Sequence, residues 1–527
     1  MNKRNILVII FSLLFSLTLV LSSQILRYYE RGSLVVLSYI HFNLKSFIIF
    51  IILSILIYIL TKIFLKKISN MGFSKSYNPW INKKVFIIST LCIFISGLVF
   101  LLYCYPGAAM VDSYQILIDP IGYSFQYPLL YSILSSKIFF LVYNITGSMN
   151  VGFFILSLIQ LIIMSSILGY SIYWLHNRFK SNKATFLTIF YFMFFFIFSN
   201  LNIAHLRDSL FSGFFLLLVI YIYDIVTSNG KKLKNDNFII LFIISITGLL
   251  LSRNNGLFIV SIVLVYLLIK YYRYYKTFIL IFIIVLFVTL IPKTLPNNNK
   301  NNLFQESVAV PFQQIVYSIK YGNVSVEDQK AISKIIPVEI ARNKYVGFTF
   351  DTLKWGLMFN NFELNKNKSE FMHVWLKNMI PNFNLYTKSF LVNNCDLWAL
   401  LPFKYNQGIQ FELQKKDIVG FQYFGDLNNE RILPNFIYKT LDFLYQNYCF
   451  YFGNGFLLWI YIILAIILIF KNKKKLLVIF LPFLLIWLNL FFMSPLASAF
   501  RYMAMFGYCL PFILCIVFYK KIDCNIE

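Results

Sequence analysis

The stretch YPLLYSILSSKIFFLVYNIT, residues 127–146, decides how the rest of this chain is threaded. It carries one lysine and no other charge, and it is apolar enough to cross a bilayer as a helix. If it crosses, every later loop changes sides. The surrounding composition makes a membrane the right frame. Of 527 residues, 59% are hydrophobic and only 13% charged, with a mean hydropathy of +0.71, which excludes a soluble domain of this size. Apolar runs of about 17–25 residues recur along the whole length, each long enough to span as a helix. Helices are expected because hydrocarbon cannot satisfy open backbone polar groups. The first run, 5–23, follows MNKR. It lacks an A-x-A-like cleavage site and a second apolar run follows, so it reads as a retained helix and not a signal peptide.

Helices are expected at about 5–23, 46–65, 85–104, 150–175, 184–200, 209–227, 237–252, 256–271, 277–294, 454–471, 475–493 and 502–519. The basic clusters KKISNMGFSKSYNPWINKK, HNRFKSNK, NGKKLKND, KYYRYYK, KNKKK and the final YKK then all fall on one side. By the bias of Lys and Arg towards cytoplasmic loops, that side is the cytoplasm. This holds only if 127–146 stays out. It is therefore read as a helix lying at the outer interface, where Pro128 and its tyrosines suit it. The expected fold is an all-α polytopic membrane protein with about 12 transmembrane helices. Both termini are cytoplasmic, with one juxtamembrane outer helix and one large outer region. Topology also accounts for the net charge of +26. Nucleic-acid binding would need a soluble basic face, and there is none. Heavy use of Ile, Lys, Asn and Phe points to an AT-rich coding genome and so to a bacterial plasma membrane.

The long polar stretch, about 296–453, is expected outside. It opens with the loop signal PNNNKNN. SVEDQKAISKI reads as a helix capped by Ser325 with acidic residues in its first turn, and SEFMHVWLKNMI as one starting from Ser369 and ending before Pro381. The chain divides into two N-terminal helices (1–84), a transmembrane core with the first outer loop (85–295), the outer region (296–453) and C-terminal helices (454–527). The seven cysteines show no CxxC or metal-ligand spacing. Cys395 and Cys449 are either a disulfide or two free thiols.

With this topology the unusual residues gather on the outer face. Asp112 and Gln115 lie in the loop after the third helix, and Asp119 follows in IDPIGYSFQYP. NIAHLRDS brings His205, Arg207 and Asp208, LSRNNG brings Arg253 and Asn254, and SPLASAFRY brings Arg501 and Tyr502. Charges near membrane depth are costly, so each is a functional-site candidate. Asp119 before Pro120 also reads as a turn former. A helix-end Arg can simply snorkel to lipid phosphate, and His205 reads as an interface residue more readily than as a metal ligand. Convergence favours function: an apolar-flanked Asp, with Arg253 and Arg501 arriving from distant helices. Arg and amide donors suit a phosphate or diphosphate of a lipid-linked substrate. A nearby carboxylate can take a proton from an acceptor hydroxyl, and Arg stabilises the charge that builds on the departing phosphate.

At these residues a family resemblance appears. YPGAAMVDSYQ followed by YPLLYSIL resembles the "yPG…pDs..Q…hP" pattern of a bacterial multipass family grouped with the GT-C glycosyltransferases. RDSLFSGFFLL, LSRNNGLFIV, ESVAVPFQQI and SPLASAFRY resemble its later blocks in the same order, over roughly 85–519. The two N-terminal helices look like an addition. The resemblance implies an inverting enzyme that uses a polyprenyl-phosphate-linked sugar donor. Asp112 takes the place of the essential acidic residue of the first outer loop, and Arg253 and Arg501 match basic positions facing the lipid phosphate. The family's His before Pro is replaced by Tyr127.

The expected function is transfer of a sugar to an extracytoplasmic acceptor, a cell-wall or surface glycan. Asp112 is the base or orients the acceptor. Arg253, Asn254, Arg501 and Tyr502 bind the donor phosphate. Arg207 and Asp208 pair and shape the site together with Asp119, Gln115 and His205. Trp355 or Trp375 of the outer region is a candidate for stacking on sugar. Two alternatives stand beside this: a polysaccharide polymerase or ligase, which leans on Arg and His in outer loops, and a lipid-linked glycan transporter. No metal site is legible. Asp112, Asp119 and Asp208 are the candidate ligands for a divalent cation, which some GT-C enzymes use and others do not.

Overall fold

The computed structural model describes residues 3–30, 42–73, 82–108, 111–122, 127–294, 302–347, 349–356, 358–400, 430–448, 453–494 and 500–520. Among these there is no strand, only isolated bridges at Phe73–Tyr519 and Val346–Thr349. The helices run α1 Lys3–Glu30, α2 Leu44–Ser69, α3 Asn82–Tyr103, α4 Val111–Ile118, α5 Leu129–Thr146, α6 Met149–Phe179, α7 Asn182–Phe194, α8 Phe196–Ile203, α9 Arg207–Thr227, α10 Asp236–Ser252, α11 Gly256–Lys270 and α12 Tyr275–Thr294. Eight shorter ones follow: α13 Asn302–Ser307, α14 Ala309–Tyr321, α15 Val326–Ser333, α16 Val338–Lys344, α17 Asp351–Lys354, α18 Asn361–Lys366, α19 Lys368–Met379 and α20 Phe383–Asn393. The last four are α21 Asn435–Tyr448, α22 Asn454–Phe470, α23 Leu481–Met493 and α24 Ala504–Phe518.

Among the described residues, nine helical segments are long and apolar enough to cross a membrane, or ten if α7 and α8, bent by 69°, form one span. Each expected span is an apolar helix. The four expected at 184–200, 237–252, 256–271 and 454–471 are the bent pair and the shorter helices α10, α11 and α22. The segment not expected to cross, α5, meets the length and composition test, and it packs on α4 and α6. Tyr131, near its start, stacks on His205 with ring centroids 5.6 Å apart. Ser136 donates to Leu117 O of α4 at 2.8 Å, and Phe139 lies against Gly152 in the first turn of α6. Phe153 of that same turn also meets His205, edge-on at 6.2 Å.

α9 is the bundle's centre. It is apolar all round and buried almost throughout, as expected of a helix with no solvent or lipid face, and it packs on α6, α10 and α24. α2 is the opposite case, with few buried residues and a row of exposed Ile and Leu side chains.

The basic loops meet at one end. Arg4 donates to Asn472 (2.6 Å), Lys471 to Met71 O, and Lys473 to Tyr519 O. Lys520 N bonds Phe73 O at 2.9 Å, and Arg178 of α6 reaches Thr227 of α9 at 2.8 Å. Asp224, also at this end, takes Lys232 at 3.0 Å and the Trp174 indole N–H at 3.1 Å. The N-terminal turn of α1 and the C-terminal turn of α24 share this basic end. The far end carries the turns at 104–108, 204–208, 252–256 and 500–502.

The helices α13–α20 form a second core around Phe312, Phe350, Phe359 and Phe371, which also takes in Ile25 of α1 and Phe491 of α23. Ser325 caps α15 as expected, accepting from Asp328 N at 3.2 Å. The second expected start is corrected: α19 begins at Lys368 with Asn367 as its cap, so Ser369 lies inside the first turn. α18 ends one residue before Asn367, whose amide is held by Glu363, and this moves the boundary. Cys395 is a buried free thiol; Cys449 and the PNNNKNN loop up to residue 301 lie outside the described residues.

Candidate functional site at the far end of the bundle

α3 ends in a turn through Pro106 and Gly107, with the Tyr105–Pro106 peptide cis. Gly107 has φ +148, and a Cβ there would lie 2.6 Å from Ser157 Oγ, so both conformation and space require glycine. Two contacts tie the segment after this turn to the turn before α9. His205 N donates to Ala108 O at 3.3 Å, and Ser113 Oγ donates to His205 O at 2.8 Å. The His205 backbone thus holds the Ala108 carbonyl before Asp112 and the Ser113 hydroxyl after it. Asp112 itself is in the first turn of α4; its side chain is outside the described set. Gln160, a polar residue in the apolar α6, donates to Ala204 O and steadies the same turn.

Asp208 is in the first turn of α9, where the helix dipole favours a carboxylate, and it is 1% exposed. Arg253, at the end of α10, brings Nη1 to 3.0 Å from its Oδ1. Arg501 brings Nε to 3.7 Å from its Oδ2. Both guanidiniums lie over the Tyr502 ring, at 4.8 and 5.0 Å, and Arg501 donates to the Tyr502 hydroxyl at 3.3 Å. The Arg253–Asp208 contact is close but misaligned: neither Nη1 nor Oδ1 makes a hydrogen bond among the described residues. It is a contact of charges and not a bidentate fork. Burial pushes the Arg253 pKa below its ordinary value, Asp208 opposes this, and Arg207 and Arg501 add to it.

The structure brings together Arg253, Arg501, Tyr502, Asp208, Arg207 and His205. The expected Arg207–Asp208 pair is corrected. Among the described ion pairs Asp208 takes Arg253 and Arg501, while Arg207 lies 3.9 Å above the Tyr127 ring. Neighbouring residues on a helix do not face each other, so one carboxylate cannot readily serve the adjacent side chain. Asn254 is exposed; its neighbour Asn255 is the one that bridges helices, donating to Asn489 of α23 at 2.7 Å. Asp119 accepts from Gly122 N at 2.8 Å and forms its own turn, and Gln115 is half-buried on α4.

Both ring nitrogens of His205 lack hydrogen-bond partners among the described residues, and burial lowers its pKa to about 4. Trp375 donates to Gln314 at 2.9 Å inside the second core. Trp355 is exposed beside Lys354. Neither has a described contact with the arginine cluster. No group of three or more His, Cys, Asp or Glu suited to a metal occurs among the described residues; the neighbours of Asp208 are cations, which do not suit it as a cation ligand.

Sequence reasoning missed Gln160, Asn255 and the Tyr127–Arg207 stack. Gln160 was findable, since a lone amide inside an apolar span is costly unless bonded. Tyr127 and Asn255 carried no such signal.

Fold and site together define an all-α multipass membrane protein whose far end concentrates three guanidiniums around one described carboxylate. The chain belongs to DUF6020, a family of unknown function, which matches residues 40–398. That match takes in α2, the Asp112 loop, the 204–208 turn and Arg253, and ends before Arg501. No curated protein and no solved structure matches the chain.

Proposed function

We propose that this protein is a membrane glycosyltransferase that moves a sugar from a polyprenyl-phosphate-linked donor to a glycan acceptor at the outer surface of a bacterial plasma membrane. The observation that carries the reading is the cluster at the far end. Arg253 and Arg501 converge on Asp208 from distant parts of the chain, and the turn that bears Asp208 also holds both sides of the Asp112 loop. Guanidiniums gathered at one end of a membrane bundle, Arg253 buried and Arg207 and Arg501 half-buried, suit an anion such as a lipid phosphate or diphosphate. In the proposed reaction the donor phosphate meets Arg253 and Arg501, with Tyr502 and Asn254 beside them. Asp112 takes the proton of the acceptor hydroxyl as its oxygen attacks the anomeric carbon. The C–O bond to the phosphate breaks, and the arginines hold the released charge.

A second reading, polymerase or ligase, draws on the same cluster, because its described charged groups are arginines and not a pair of carboxylates. Both are tested on membranes with a labelled polyprenyl-phosphate sugar. On the first reading Asp112→Asn lowers transfer by about 10²–10⁴ at unchanged protein level, and Arg501→Gln falls comparably. Full activity in Asp112→Asn with loss in Arg501→Gln removes the base assignment and leaves the second reading. No released polyprenyl phosphate from the wild type removes both.

A further inference from the structure

The segment before and within α21 is clamped to the end of α3. Glu430 N donates to Tyr105 O at 3.2 Å, and its carboxylate accepts from Asn150 at 2.6 Å. On α21, Tyr438 packs on the Tyr103 ring at 5.4 Å and Asp442 accepts from the Tyr103 hydroxyl. Tyr438 and Asp442 are four residues apart and so share one face. The opposite face carries Phe436 and Phe443, 69% and 57% exposed. They are seven residues apart, two helical turns, with exposed Lys439 between them.

The position of Tyr103 says what meets that face. Along α3, Leu91, Ile95 and Val99 are exposed, in the four-residue steps that mark one side of a helix. Tyr103 is the next step on this stripe, at the last residue of a candidate span. α21 therefore docks at the end of the bundle's apolar outer surface, at the level where hydrocarbon gives way to headgroups. An amphipathic helix with aromatic residues outward and a lysine among them is suited to lie there, its rings at the acyl boundary and the lysine reaching the headgroups.

We infer that α21 is an in-plane helix whose Phe436–Phe443 face binds the bilayer leaflet at the far end of the bundle. Through Tyr103, Tyr105 and Glu430 it tethers the turn before α4 to that surface. This holds whether or not the protein transfers a sugar.

The test uses the full chain in phospholipid nanodiscs, with p-benzoylphenylalanine placed singly at Phe436 and Phe443, and at Ile95 as the lipid-facing reference. After irradiation, phospholipid adducts at 436 and 443 are expected within about threefold of the Ile95 yield. Yields more than about tenfold lower overturn the inference, as does a cross-linked dimer in place of lipid adducts. In case the probe perturbs the helix, the F436S/F443S pair gives a second readout. Amide exchange of 435–444 in nanodiscs should rise about tenfold over the wild type; unchanged exchange also overturns it.

Discussion

His205 sits where the backbones of the Asp112 loop and of the α9 entry meet, and its ring is packed between Tyr131 and Phe153. Its pKa of about 4 makes it a stability group with a definite sign. Between pH 6.5 and 4 the unfolded chain binds a proton there that the folded chain does not. Stability is therefore complete above about pH 6.5 and falls as pH drops, by roughly 3 kcal/mol at the acid limit. In detergent, His205→Phe should flatten the thermal midpoint between pH 7 and 4.5 relative to the wild type. Equal slopes would mean that the ring titrates normally. At this scale the sequence carried the convergence of Arg253 and Arg501, because a topology drawn from lysines and arginines puts both at one end. It did not carry their shared partner. Which side chain a helix-start carboxylate faces depends on the rotation of α9 against α10, and apolar periodicity cannot supply that for a helix buried all round.

Among elements, the two caps of the second core separate a spacing match from a working contact. Ser325 Oγ bonds the third residue of α15, and the Asp328 carboxylate then accepts from Lys377 and Asn378. Ser325→Ala should lower stability by about 1 kcal/mol. Ser369→Ala, inside the first turn of α19, should leave it near the wild-type value. Thermal unfolding of the full chain, with amide exchange over 326–333, distinguishes them, and equal losses would refute the assignment. Both serines looked alike in the sequence. What separated them was α18, a six-residue helix too short to show a period, whose end sets where α19 can start.

For the whole molecule, α5 decides which loops share a side. Tyr131 meets the same far-end His205 that Phe153 reaches from α6, Ser136 reaches Leu117 of α4, and Asn150 is joined through Glu430 to Tyr105. Both ends of α5 are therefore tied to far-end contacts, while its length packs on α4 and α6. Thr146, exposed at the end of α5, should accept a membrane-impermeant maleimide from outside intact cells as Thr146→Cys. Labelling only after permeabilisation would make α5 a span and invert the later loops. Length and hydropathy could not make this distinction, because an interface helix packed under other loops needs as many apolar residues as a crossing one.

α9 joins the two ends. Asp208 stands in its first turn with Arg253 and Arg501, and Asp224 in its last with Trp174 and Lys232. The two carboxylates are about 24 Å apart along one straight rod. Each is buried among partners from other helices, so each fixes the rotation of α9 independently. A slip of one residue would turn both by about 100° and strand two buried charges at once. The central helix is in effect keyed at both ends, and its register against the bundle is set by charge as well as by the fit of its apolar sides.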